Sequence, residues 1–478
     1  MLGRYGLGGV RRLSGRVALA PAAPPAGGRK TQYPQRRENA ALQTGLAPRL
    51  AAAAIVGEVL AKRQALDERF RDASAHPALA HLDPRDRALA RSIATVALRR
   101  LGTIRKALAG FLKRGMPRRA GELEWHLVIA AAQVLFLEVP DHAAVDLGVR
   151  AVRSAPLSAP FAPLANAVLR NVARQREEIL ASSDPLDDDT PHWLAERWRN
   201  AYGIAVARAI AAAHRLEPTL DLTVPRDPTA WAQRLGGIVL PTGSVRLVAH
   251  TPVPQIEGYA EGAWWVQDAA AALPARLLRA RPGETITDLC AAPGGKTAVL
   301  VAAGASVVAV DRSAERMQRL KSNLDRLGYT AATFVGDVES YDGGPFDAVL
   351  LDAPCSATGT IRRHPDVAWA KRASDIPALA VLQTRLLDKA VSLLRPNGRL
   401  VYCTCSLEPE EGEGQIEALL ARHPALARDP VTATELGGLD ACVTKDGDLR
   451  TLPCHLPASD PRLAGLDGFF AARLVRHG

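Results

Sequence analysis

Apolar positions along this chain follow two different patterns, and the change between them falls near Gln267. From about Pro48 to Leu180 apolar residues recur at helical spacing, with no strand-like alternation between them. This spacing predicts helices over 51–70, 85–101, 104–112, 122–137, 143–151 and 161–179, with Gly and Pro at the breaks and Pro84 in a first helical turn. Residues 181–190, Ala-Ser-Ser-Asp-Pro-Leu-Asp-Asp-Asp-Thr, read as a linker. A helix over 193–214 follows, and then a small mixed connector within 220–265 that contains strand-like pieces such as 237–240 and 245–248. Beyond Gln267 come five apolar runs, at 285–289, 306–310, 332–335, 347–351 and 399–402. Short continuous apolar runs are what parallel strands buried on both faces give. Helical stretches, clearest at 314–327 and 376–394, lie between them. The order predicts a doubly wound α/β domain, its edge closed by antiparallel strands that include 468–474.

The expected organisation is a basic extension over 1–47, an all-helical domain over 48–180, a linker and connector over 181–266, and the α/β domain over 267–478. At 478 residues the chain exceeds one ordinary core. It offers no run of 18 uncharged apolar residues, so no transmembrane span is predicted. Six cysteines in so long a chain make no disulfide framework, and their spacing fits no zinc site. A reducing, cytoplasmic setting with free thiols and no metal is the expectation.

Charge changes the picture less than it first suggests. The formal net charge is +10, but the first fifty residues hold nine Arg or Lys against the single acid Glu38. The basic balance is therefore mainly a property of the tail. Its Pro- and Gly-rich centre, Pro21 to Gly28, reads as disordered. Arg4, Arg11, Arg12 and Arg16 without acids admit a targeting segment; a dispensable or loosely RNA-binding arm is the preferred reading. In the body, eight basic residues and no acid lie between Arg99 and Arg119: Arg99, Arg100, Arg105, Lys106, Lys113, Arg114, Arg118 and Arg119. Such density predicts a surface that contacts RNA phosphates.

Asp288-Leu289-Cys290-Ala291-Ala292-Pro293-Gly294-Gly295-Lys296-Thr297 joins the first predicted strand of the α/β domain to a helix. Glycines there let the backbone approach a ligand, and the helix start offers unpaired N–H groups. A Walker loop would need Gly where Cys290 stands, and the dinucleotide fingerprint G-x-G-x-x-G is absent. What remains is a nucleoside without a polyphosphate. Asp311, ending the second strand, suits ribose hydroxyls. Asp337 suits an adenine amino group, and Asp288 could approach a ligand ammonium. S-adenosylmethionine fits this set.

Two thiols then stand out. Asp352 and Cys355 follow the fourth strand, in Asp-Ala-Pro-Cys, and Cys405 follows the fifth, in Thr-Cys-Ser. Neighbouring strand ends would put both thiols over one crevice beside a methyl donor. Carbon 5 of cytosine is a poor nucleophile until a thiolate adds to carbon 6, and a base must later remove the carbon 5 proton so that the thiol can leave. Nitrogen or oxygen methylation needs no thiol. Asp352 could hydrogen-bond the N3 edge of the ring. Residue chemistry alone does not rank the two thiols. Cys403 should lie deeper on the face of Cys405.

The stretches Asp288–Thr297, Asp352–Gly359, Arg362-Arg363-His364-Pro365-Asp366, Thr404-Cys405-Ser406, Gln267-Asp268 and Asp467-Gly468-Phe469-Phe470 closely resemble the Sun/nucleolar-protein family of RNA cytosine-5 methyltransferases. The helical first domain looks like the NusB-type RNA-binding fold, and together they resemble the bacterial branch that acts on small-subunit (16S) rRNA, over about 48–478. The resemblance implies an all-α NusB-like domain followed by a class I, Rossmann-like methyltransferase domain. It implies S-adenosylmethionine as cofactor and 16S rRNA, before or during subunit assembly, as partner. Cys405 would be the nucleophile, Cys355 would assist product release, and Asp352 would hold the cytosine. Cys290, Ala291, Ala292, Pro293, Gly294, Gly295 and Lys296, with Asp288, Asp311, Arg316, Asp337 and Asp352, would hold the cofactor. Arg362 and Arg363, beside His364, would face RNA. Two departures touch target recognition: Asp221-Leu222-Thr223 stands where relatives carry Arg-x-Asn, and Gly412 follows Glu410-Glu411 where they carry Asn. A tRNA-directed enzyme of the same chemistry and a noncatalytic RNA-binding or assembly factor remain as alternatives. A monomer is expected, because no coiled-coil or exposed apolar stripe stands out.

Overall fold

The computed structural model describes residues 45–248 and 251–478. The readings made for the N-terminal extension fall, apart from its last three residues, outside the described residues.

The first layer is a bundle of helices, Leu46–Lys62, Pro84–Arg99, Leu101–Phe111, Leu123–Phe136, Asp141–Ser154 and Ala162–Arg174, extended by a short helix Arg176–Ala181. Pro84 occupies a first turn, and the Asp83 side chain accepts the Asp86 N–H at 2.7 Å, capping that helix. Leu123–Phe136 is apolar all round, and every residue from His126 to Leu135 is buried at the centre of the bundle. Helix Leu46–Lys62 packs closely on it: a Cβ on Gly57 would lie 2.7 Å from the Trp125 ring.

The stretch predicted as a linker is not a free tether. Leu186 is fully buried, and Asp189 accepts the Thr103 N–H at 2.8 Å and is paired with both Arg100 and Arg215. Gly102 permits this docking, since a Cβ there would fall 1.6 Å from the Asp188 carbonyl oxygen. The following helix, His192–His214, kinks at Gly203. Its Leu194, Ala195, Trp198 and Ile210 share a core with Ile361, Ala368, Leu407 and Leu452, so it packs on loops of the α/β layer.

A small antiparallel sheet follows, built from β1 (Leu220–Thr223), β2 (Ile238–Val239), β3 (Val245–Leu247) and β4 (Trp265–Val266) in the order β2-β3-β1-β4. An Ala-rich helix, Ala269–Leu277, is capped by Asp268 and leads into the main sheet. Its strands are β5 (Thr285–Leu289), β6 (Ser306–Asp311), β7 (Ala332–Val335), β8 (Phe346–Asp352), β9 (Leu394–Thr404), β10 (Leu426–Arg428), β11 (Leu449–Thr451) and β12 (Phe469–Arg476). The order is β10-β12-β9-β8-β5-β6-β7, with β11 paired to β12. From β5 to β9 the pairing is parallel, and β12 runs antiparallel beside β9. The chain winds outward through β6 and β7 and then returns to the other side of β5. This reversal opens a crevice at the carboxyl ends of β5 and β8.

Candidate active site

The β8–β9 register sets Asp352 directly opposite Cys403. Cys405, two residues on, leaves the strand on the same side, and Cys355 comes back toward it from the β8 loop. Their sulfur atoms lie 3.4 Å apart, and both residues are partly exposed. Cys403 is buried beneath them, with its Sγ 3.4 Å from Asp352 Oδ1. The hydrogen bond with Cys405, then burial, pushes the Cys355 thiol well above its usual value. Either sulfur can be the donor across this contact.

Two glycines bring the loops together. Gly359 N–H donates to the Cys405 carbonyl at 2.9 Å, while Gly468 N–H donates to the Gly359 carbonyl at 2.8 Å. A Cβ on Gly359 would fall 2.0 Å from the Gly468 carbonyl oxygen, so the two chains can pass this closely only without a side chain. Ala353 N–H to the Cys403 carbonyl, 2.9 Å, fastens the loop at its other end.

Sequence reasoning missed the hub beneath the thiols, Glu411. It is fully buried, and its carboxylate accepts Ser356 N–H at 2.9 Å, Gln383 Nε2 at 3.0 Å, Ser406 Oγ at 2.5 Å and Ser356 Oγ. Gly412, one of the two departures, borders this hub. A Cβ there would meet Arg450 Nη2 at 2.6 Å, and Arg450 donates to the Ser406 carbonyl at 2.6 Å. The available signal was local: a Ser follows each thiol, and four glutamates, Glu408, Glu410, Glu411 and Glu413, crowd just past the second Ser.

Lys296 Nζ pairs with Asp352 Oδ2 at 2.7 Å and sits 5.1 Å from the centre of the Phe469 ring. Burial opposes its charge, but Asp352 more than compensates and holds the ammonium above its ordinary pKa. The loop from Ala291 to Lys296, with Asp352, Gln267, Arg363, His364 and Asp467, lines a cleft of about 460 Å³. Cys290, Asp311, Arg316 and Asp337 line a second cleft, with Val338, Pro354, Leu382 and Leu386. The predicted cofactor set is thus divided between two clefts. The second cleft, carboxylates against apolar side chains, fits an adenosine: Asp311 at the end of β6 and exposed Asp337 provide acceptors for hydroxyl and amino donors.

Asp288 does not reach a ligand surface. It is fully buried beneath the loop, where one oxygen accepts Thr297 Oγ1 at 2.6 Å and the other has no protein partner. Burial pushes its pKa up to about 7. Arg316 turns back onto the loop, bonded to the Ala292 carbonyl and 3.5 Å from Asp311.

Residues 275–475 match the 16S rRNA methyltransferase RsmB/F family, and residues 46–174 match the NusB family. A Ribosomal RNA small subunit methyltransferase B from Xylella fastidiosa is 38% identical over 453 residues, covering 91% of this chain and 99% of the relative. The chain belongs to the RsmB/F family. A second relative of the same name, from Cronobacter sakazakii, is 35% identical over 89% of this chain and 97% of its own. The fold is shared with the crystal structure of PH0851 (TM-score 0.64, 22% identity, 89% of this chain and 98% of that one). It is shared also with NSun6 from Pyrococcus horikoshii (TM-score 0.50, 19% identity, 60% and 98%).

Within this RsmB/F chain the structure corrects the predicted RNA contacts at Arg99, Arg100 and Arg362, and pairs others with acids at the surface. Arg99 is buried and donates to the Arg362 carbonyl at 2.9 Å. Arg100 pairs with Asp189 at 2.8 Å, Arg105 with Glu124 at 2.8 Å and Lys106 with Asp188 at 2.9 Å. The acids absent from the local sequence are supplied by other segments. Lys113 and Arg114 are exposed, as are Arg118 and Arg119, and none of the four is in an ion pair among the described residues. Arg362, 2% exposed, is held by Asp268 at 3.1 Å and Asp467 at 3.3 Å, and is no phosphate ligand. Arg363 is paired with Asp268 at 2.5 Å and Asp467 at 3.2 Å, leaving only its edge in the cleft. His364 bonds to Asp67 of the helical layer at 3.1 Å. Asp221 is no lost RNA contact either. It is fully buried, gripped by Arg246 through two bonds of 2.7 Å.

Proposed function

We propose that this protein transfers a methyl group from S-adenosylmethionine to carbon 5 of a cytidine in small-subunit rRNA, through a covalent adduct between Cys405 and carbon 6. The observation that carries the reading is the pair of thiols 3.4 Å apart at the ends of neighbouring parallel strands, beside Asp352. Relatives named Ribosomal RNA small subunit methyltransferase B, matched over nearly their whole length, support the rRNA target.

Cys405, as thiolate, attacks carbon 6, and Cys355 supports that charge by donating its S–H. Asp352, its position fixed by Lys296, receives the N3–N4 edge of the flipped base. Asp311 and Asp337 would hold the ribose and adenine of the cofactor, with the Ala291–Lys296 loop beside it. S-adenosylmethionine, when bound, supplies an electrophilic methyl group. A base then takes the carbon 5 proton, its electron pair re-forms the ring double bond, and the carbon 6–sulfur bond breaks to return the Cys405 thiolate, with Cys355 assisting from the opposite loop. Transfer of labelled methyl to undermethylated RNA tests the reading: wild type forms 5-methylcytidine, and Cys405→Ala forms none.

A further inference from the structure

We infer that Glu411 is a positioning residue for both thiols: its buried carboxylate binds the serine that follows each one and so sets the separation of Cys355 and Cys405. The inference rests on the reading above that these two thiols carry the reaction.

The loops that hold the thiols leave different strands, and their sequence positions are fifty residues apart. Backbone bonds fix each end of the Asp352–Gly359 loop, at Ala353 and at Gly359. Between those ends lie Cys355 and Ser356. There Glu411 Oε1 accepts Ser356 N–H, and Oε2 accepts both Ser356 Oγ and Ser406 Oγ. Gln383 completes the tie: its Nε2 donates to Glu411 Oε1 at 3.0 Å and to the Pro354 carbonyl at 2.9 Å. Both flanks of Cys355 therefore enter one network.

The hub is anchored on the strand of the other thiol. The Glu411 carbonyl accepts Tyr402 O–H at 2.8 Å and Thr404 Oγ1 at 3.1 Å, both on β9. A buried carboxylate persists only when its acceptor sites are filled, and here four donors fill them. Every residue bonded to its side chain either adjoins a thiol or, as Gln383 does, also holds the residue preceding one. A side chain that merely satisfied stray hydroxyls would have no reason to select those neighbours.

The conservative variant discriminates the role. In Glu411→Gln the carbonyl still accepts Ser356 N–H and Gln383, while the new amide donates to the two serine hydroxyls, which rotate to accept. In Glu411→Ala both loops lose the tie. The experiment measures kcat and KM for undermethylated small-subunit rRNA, the fraction of enzyme held in a covalent RNA complex on denaturing gels, and binding of S-adenosylmethionine as a check on folding. For Glu411→Ala the expected result is a fall in kcat of about 100-fold, the cost of roughly 1 Å of misplacement, with KM changed less than about twofold. Release needs both thiols and attack only one, so the covalent fraction rises above wild type. Glu411→Gln stays within about tenfold of wild-type kcat. If Glu411→Ala does not fold, Ser356→Ala and Ser406→Ala decide: each should lower kcat several-fold, and no change in either overturns the inference. Wild-type kcat in Glu411→Ala, or equal impairment of the Gln and Ala variants with cofactor binding intact, also overturns it. An active wild type with an inactive Cys405→Ala would leave the reaction standing in those cases. An inactive wild type would remove both.

Discussion

Replacing Lys296 by Met removes one charge from the cytosine-facing side of the site and keeps most of the side-chain volume. Lys296 is 9% exposed and Asp352 is 31% exposed at their side chains, with 2.7 Å between Nζ and Oδ2. At an effective dielectric of about 20 the gross attraction over that distance is about 6 kcal/mol. Desolvation of the ammonium cancels much of it, and Asp352 regains water once the partner is gone. The net cost of Lys296→Met is therefore about 2 kcal/mol, below the 3–5 kcal/mol typical of breaking a fully buried pair. The reverse change is harsher. Asp352→Asn strands the more buried charge, and its cost should approach about 3 kcal/mol. Urea unfolding monitored for each variant measures this asymmetry. Single-turnover methyl transfer measures the functional part: with the Asp352 carboxylate no longer anchored, kcat/KM of Lys296→Met should fall about 30-fold, the kinetic equivalent of about 2 kcal/mol. Equal destabilisation in the two variants, or a Lys296→Met enzyme within twofold of wild type, would refute the reasoning.

Two further outcomes follow from the same structure. Asp288 keeps its proton to about pH 7 in the folded protein but only to about 3.8 when unfolded, so its contribution to stability falls as pH rises between those values. From pH 5.5 to 8 wild type should lose about 2 kcal/mol relative to Asp288→Asn, read as the difference between their urea-unfolding energies; a pH-independent difference would contradict the burial argument. Lys113→Glu and Arg114→Glu should each weaken RNA binding and reduce the slope of log K against log salt by about one, with unfolding midpoints unchanged. Arg99→Ala should instead lower the unfolding midpoint, and the reverse pattern would restore Arg99 as an RNA contact.

The central strand β8 was legible because burial on both faces leaves an apolar run, Phe346–Asp352; β5 and the half-exposed edge strand β7 also match their predicted limits. The thiol pair was legible for the same reason, since parallel neighbours align their carboxyl ends. What the sequence hid was pairing over long separations. Arg99 to Lys106 looked like an acid-free surface because Asp188, Asp189 and Glu124 arrive from other segments. Arg362 looked free because Asp268 and Asp467 lie about a hundred residues away on either side. Helix Ala269–Leu277 escaped notice because its Ala-rich stretch carries little periodicity and contains Pro274. Glu411 was invisible as a hub because a buried carboxylate and a solvated one have the same letter.

The central claim is the covalent route through Cys405. The most direct measurement incubates undermethylated total RNA with labelled S-adenosylmethionine and wild type, Cys405→Ala or Cys355→Ala, followed by nucleoside analysis, site mapping and denaturing gels. The account predicts 5-methylcytidine in small-subunit rRNA with wild type, no product or covalent complex with Cys405→Ala, and an accumulated enzyme–RNA complex with Cys355→Ala. Methylation confined to tRNA would keep the chemistry and overturn the target. Undiminished 5-methylcytidine from Cys405→Ala would contradict the mechanism itself.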